Sequence, residues 1–128
     1  MLASQIEPFI GLPYDEAELD CADLAVLIQR ELFGKEISLP GRRQRMNAPA
    51  ASINRYSDEL ATRIDRDGLR DGDVVVFKDG TLHIGTVFLL SGTAWVLHTT
   101  TTGGYSLLQP LSDLPGFGLR IEGFYRWK

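Results

Sequence analysis

The stretch Leu82-His83-Ile84-Gly85-Thr86-Val87-Phe88-Leu89-Leu90-Ser91-Gly92-Thr93-Ala94-Trp95-Val96-Leu97-His98 decides the fold. β-Branched, aromatic and other apolar residues fill both arms, as strands on a half-buried pleated surface require. Ser91-Gly92 is a two-residue turn signal, so the arms fold back on each other as an antiparallel hairpin. With Leu90 opposite Thr93, His98 falls opposite Gly85. His83, two residues from Gly85, then shares its face and lies diagonal to His98. Diagonal neighbours stand roughly 7–8 Å apart at the backbone, within reach of two facing imidazoles. A slip of one residue would send the rings to opposite faces. Gly85, without a side chain, leaves room for the ring of His98.

Working outward, Val74-Val75-Val76-Phe77 is an apolar run and Lys78-Asp79-Gly80-Thr81 a tight-turn signal, which together predict a strand feeding the hairpin. Residues 105–109 and 119–127 supply one or two further strands. The first half reads differently. Residues 4–10 predict a short helix ending at Gly11, and Leu12-Pro13-Tyr14 an extended turn. From Asp20 to Phe33, Leu24, Leu27, Ile28 and Leu32 recur at three- and four-residue steps, the period of a half-buried helix. Asp20 is placed as its N-cap and Gly34 as its terminator. Residues 38–50, with Arg42, Arg43 and Arg45, read as a loop, and Ala51 to about Ile64 as a polar, helical stretch. A helix-rich half followed by an antiparallel sheet is an α+β arrangement in one domain, 1–128.

The charge balance is acidic, with 13 Lys and Arg against 17 Asp and Glu, which argues against a general nucleic-acid binder. No apolar run approaches the ~20 residues of a membrane span. Met1-Leu2-Ala3-Ser4-Gln5-Ile6-Glu7 has neither the basic start nor the apolar stretch of a signal peptide. The expectation is synthesis in the cytoplasm, with any work outside the cell needing another carrier. The single cysteine excludes an internal disulfide.

That cysteine, Cys21, follows Asp20 at the start of the expected helix, where the positive end of the helix dipole favours a thiolate. His83 and His98 are the only histidines. If the helix end packs on their face of the hairpin, a Cys-His-His line results. Cys21 would then attack an amide carbonyl. His83 would hold the pair as thiolate and imidazolium and protonate the leaving amine, and His98 would fix the tautomer and ring angle of His83. The Cys21 backbone N–H is a candidate oxyanion donor. No cofactor or metal is expected.

At these residues the chain resembles the NlpC-type cell-wall cysteine peptidases, a papain-like α+β family, over nearly its whole length. Pro13-Tyr14 followed by Asp20-Cys21 is similar to the family's tyrosine-bearing loop and its Asp-Cys-Ser-Gly nucleophile segment. Gly72-Asp73-Val74-Val75-Val76-Phe77 is similar to the strand preceding the base. His83-Ile84-Gly85-Thr86-Val87 resembles its His-Val-Gly-Ile-Tyr strand, and Val96-Leu97-His98-Thr99 the strand with the third catalytic residue. The resemblance implies a peptidoglycan hydrolase cutting the stem peptide, typically between D-γ-glutamate and a diamino acid, with Tyr14 and Asp20 contributing to the substrate pocket. Ala22-Asp23 replaces the usual Ser-Gly, the Trp-Gly-Gly is missing, and six residues separate Tyr14 from Cys21. These departures bear on specificity. The compact chain is more similar to the phage and prophage tail-associated branch than to the family's secreted members. That implies a virion tail location, tail-tip or baseplate partners and action in the host envelope.

Blander readings compete. A lone helical cysteine is often a small buried hydrophobe. Two histidines on a sheet are often structural, and Cys-His-His is also a three-ligand zinc pattern. Asp20 has a sufficient role as a helix cap, Asp73 as a turn residue, Tyr14 as a core aromatic and the three arginines as a solvated loop. Trp95, Phe124, Tyr125 and Trp127 read as sheet packing or a subunit contact. Two other functions stay open: a non-catalytic tail component that keeps the peptidase fold, and an amidase or transferase acting on a different amide.

Overall fold

In the computed structural model, residues 1–38, 60–78, 82–100 and 102–128 are described. Arg42, Arg43 and Arg45, the expected loop beyond residue 38, the start of the polar stretch at Ala51 and the Asp79-Gly80-Thr81 turn lie outside them. The chain starts with α1, Ala3–Ile6, and a 3-10 turn over Glu7–Phe9, and turns at Gly11 with φ +82°. The main helix, α2, spans Cys21–Phe33. Both ends are specified by sequence. The Asp20 carboxylate accepts from the Asp23 N–H at 2.8 Å, and the Asp23 carboxylate accepts in return from the Asp20 N–H at 3.0 Å. Gly34 closes the helix in the left-handed conformation, φ 64°.

Six strands form one sheet: β1 Ala61–Ile64, β2 Val74–Lys78, β3 Leu82–Leu90, β4 Thr93–His98, β5 Leu107–Pro110 and β6 Ile121–Trp127. Their order is β1-β6-β2-β3-β4-β5, with every neighbouring pair antiparallel. The β3–β4 hairpin has the register its turn requires, running from Leu90 opposite Thr93 to Thr86 opposite Leu97. Ser91 and Gly92 both take positive φ, 51° and 80°, as a type I′ turn demands. The architecture is α+β, helix and antiparallel sheet.

The sheet is apolar on both sides, and each side has its own cover. Val74 and Val76 of β2 and Ile84 of β3 pack with Ala22 and Ala25 of α2. Phe88 and Leu97 continue that face against Leu24 and Ile28, with Ile6 and Phe9 beneath. On the opposite face Val75, Phe77, Val87, Val96 and Phe124 pack with Leu111 and Leu114 of a 3-10 segment, Leu111–Phe117. Fully burying each such side chain is worth roughly 1.5–3 kcal/mol, so both layers contribute to stability.

Three expectations are corrected. The end of the stretch expected to be helical, Ala61–Ile64, is strand β1, because it pairs with the end of the chain, Ala61 opposite Trp127. Sheet pairing outweighs local propensity there. Asp73 is more than a turn residue. It is 2% exposed, accepts from the Arg70 N–H at 2.7 Å, and takes two 2.8 Å contacts from the Arg126 guanidinium, joining the start of β2 to β6. Finally, α2 covers the face of the sheet that carries Ile84, whereas its start was expected on the face of the histidines. Alternation along β3 puts His83 on the other side.

Candidate active site

The two imidazoles meet. His83 Nε2 lies 3.3 Å from His98 Nδ1, with ring centroids 5.4 Å apart and ring planes inclined at 77°. Their strands explain the contact. With Thr86 opposite Leu97, Gly85 stands opposite His98, and His83 is the diagonal neighbour on that face. The glycine is required there. A Cβ on Gly85 would lie 2.4 Å from Val96 Cγ1 and 3.2 Å from His98 Cβ. Phe77, opposite His83 on β2, walls the pair, its ring centroid 5.0 Å from that of His83 and 6.2 Å from that of His98.

A third polar group, missed in the sequence, completes the row. His98 Nε2 is 2.7 Å from Gln109 Oε1 on β5. Val96 pairs with Gln109, so the glutamine is diagonal to His98 on the next strand, as His83 is on the previous one. The signal was a polar residue in Leu107-Leu108-Gln109-Pro110, readable only once the β4–β5 register is known.

Burial sets the electrostatics. His83 and His98 are 6% and 3% exposed. Desolvation, and then the neighbouring His98, pushes His83 from the usual 6.5 down to about 4. His98 is also held below the ordinary imidazole range by burial, while its bond to Gln109 acts in the opposite sense. Both rings are therefore neutral at pH 7.

Cys21 is the first helical residue of α2 and half-buried, next to the Asp20 cap. It packs against the Ala22, Ala25, Val76, Ile84 cluster. Val76 and Ile84 are paired neighbours of Phe77 and His83, so Cys21 packs on the face of the sheet opposite the rings. Among the described residues, no three His, Cys, Asp or Glu side chains group as a metal site would need.

The Tyr14 N–H donates to Gly104 O at 2.9 Å, and Pro13 bridges to Tyr105, two residues before β5. Its ring is half-buried. The Asp20 carboxylate is engaged in capping α2. Trp127, Tyr125 and Phe124 are buried in the sheet, consistent with packing, and Trp95 is half-buried.

The chain matches no protein-family model, and no curated protein matches it. No helix among the described residues is long and apolar enough to cross a membrane.

Proposed function

We propose that this chain is a cysteine-dependent amide hydrolase of the papain-like NlpC type, cutting a peptidoglycan stem peptide, with D-γ-glutamyl to diamino acid as the expected bond. The observation that carries the reading is the His83–His98 contact of 3.3 Å on adjoining strands of the sheet on which α2, beginning after Asp20 with Cys21, packs. A neutral imidazole with a second polar group behind it has a lone pair free to take a proton at pH 7. A phage tail tip is the carrier proposed with it, on the resemblance alone.

In the proposed reaction, neutral His83 takes the thiol proton as Cys21 sulfur attacks the scissile carbonyl carbon. The carbonyl oxygen becomes an oxyanion near the positive end of α2. The intermediate collapses as the C–N bond breaks, and His83 delivers its proton to the departing amine, leaving a thioester on Cys21. Water then attacks that thioester with His83 again as base. The acid product leaves, and the proton returns to the sulfur. His98 holds the ring of His83 throughout. The sequence of steps requires the sulfur to come round the end of the sheet from the α2 face to the ring face, and that displacement belongs to the proposal.

One observation favours a second reading. Cys21 packs with apolar residues on the face opposite the rings, as it would in a non-catalytic tail component that keeps the fold. Digestion of purified peptidoglycan separates the two. The hydrolase reading predicts stem-peptide fragments from the wild type and none from a folded Cys21→Ala variant, with mass spectrometry giving the bond. Equal release by both proteins overturns it. No release by either, with retention on tail-tip proteins, establishes the second reading in its place.

A further inference from the structure

We propose that Gln109 is a positioning residue that sets the tautomer of both imidazoles and so leaves His83 Nδ1 as the one basic nitrogen of the site. The inference rests on the hydrolase reading for its catalytic consequence, although the proton arrangement itself follows from geometry.

With Gln109 Oε1, rather than its amide nitrogen, facing His98, the chain of bonds has one polarity. Gln109 Oε1 is an acceptor without a proton, so His98 Nε2, 2.7 Å away, must donate. A neutral imidazole carries one N–H, and His98 is neutral at pH 7, which leaves its Nδ1 as an acceptor. His83 Nε2, 3.3 Å from that atom, must then carry the proton and donate. His83 Nδ1 is left with its lone pair. The three residues sit on β5, β4 and β3, each diagonal to the next on a single sheet face, so strand register holds the relay. Without Gln109, His98 could place its proton on Nδ1, and His83 would then have to accept with Nε2 and carry its own proton on Nδ1. The base would be turned off by tautomerisation alone, with no loss of a ring.

Long-range nitrogen–proton NMR spectra of ¹⁵N-histidine protein at pH 7 report this directly. The expected wild-type result is both rings in the Nε2–H form. In Gln109→Leu, His98 leaves that form or mixes the two, while Gln109→Glu, which keeps an acceptor, retains it. Peptidoglycan hydrolysis should fall on the order of 10²-fold in Gln109→Leu and recover in Gln109→Glu. Either ring in the Nδ1–H form in the wild type overturns the proposal, and so does a folded Gln109→Leu with unchanged tautomers. If Gln109→Leu does not fold, the wild-type spectrum alone decides. Expected tautomers in a protein that never cleaves peptidoglycan would sink the hydrolase reading and leave the tautomer lock standing.

Discussion

Acidification should unfasten this protein through its buried imidazoles. His83 is 6% exposed, and its conjugate acid has a pKa of about 4 in the fold, against 6.5 for an unperturbed ring. Between those values the unfolded chain binds a proton that the folded chain refuses. Stability from this ring is therefore complete above pH 6.5, declines as the pH falls to 4, and levels off below it. The difference from 6.5 to about 4 corresponds to about 3 kcal/mol. Set against a typical domain stability of about 5–15 kcal/mol, that is a large fraction. The lowered pKa of His98 acts in the same direction. The assay is urea unfolding followed by tryptophan fluorescence at intervals from pH 7.5 to 4, for the wild type and His83→Gln. Carboxylate titration contributes to both curves and cancels in the difference. The wild type should lose about 3 kcal/mol more than the variant across this range. Parallel curves would refute the reasoning, because they would mean that the ring is charged without cost in the fold.

Two further substitutions probe the geometry. Gly85→Ala puts a Cβ 2.4 Å from Val96 Cγ1, in a strand centre that cannot yield, and should cost about 1–3 kcal/mol while separating the two rings. Chemical denaturation measures the first effect and imidazole NMR shifts the second. Arg126→Ala strips the partner from the Asp73 carboxylate, itself 2% exposed. A buried charge left unpaired costs about 3 kcal/mol, to be read from the urea midpoint. Arg126→Lys should recover only part of it, since an ammonium cannot reproduce the two-point contact.

Much of the site could be read from residue order because its geometry is local. A two-residue turn at Ser91-Gly92 fixes which residues of β3 and β4 face one another, and the diagonal pairing of His83 with His98 follows. Asp20 and Gly34 delimit α2 through cap chemistry that acts within one turn. What escaped depends on longer-range choices. Val74-Val75-Val76-Phe77 is apolar at every position, so its pattern does not reveal which face will take α2 and which the 3-10 segment. The side on which Cys21 sits relative to the rings is therefore not legible in the sequence. Ala61–Ile64 has no alternation of its own and becomes a strand only because β6 offers it an edge. Gln109 gains its meaning from the β4–β5 register, and Asp73 from an arginine 53 residues away.

The proposed reaction requires Cys21 and His83 to act as one chemical unit. The rate of Cys21 alkylation by iodoacetamide, followed from pH 4 to 10 in the wild type and in His83→Gln, tests this most directly. A working pair predicts faster alkylation near pH 7 in the wild type than in His83→Gln, because the neutral ring takes the thiol proton, with the advantage lost as the pH falls toward 4 and the ring is protonated. Superimposable profiles in the two proteins would contradict it, since a sulfur indifferent to the ring has no base to activate it.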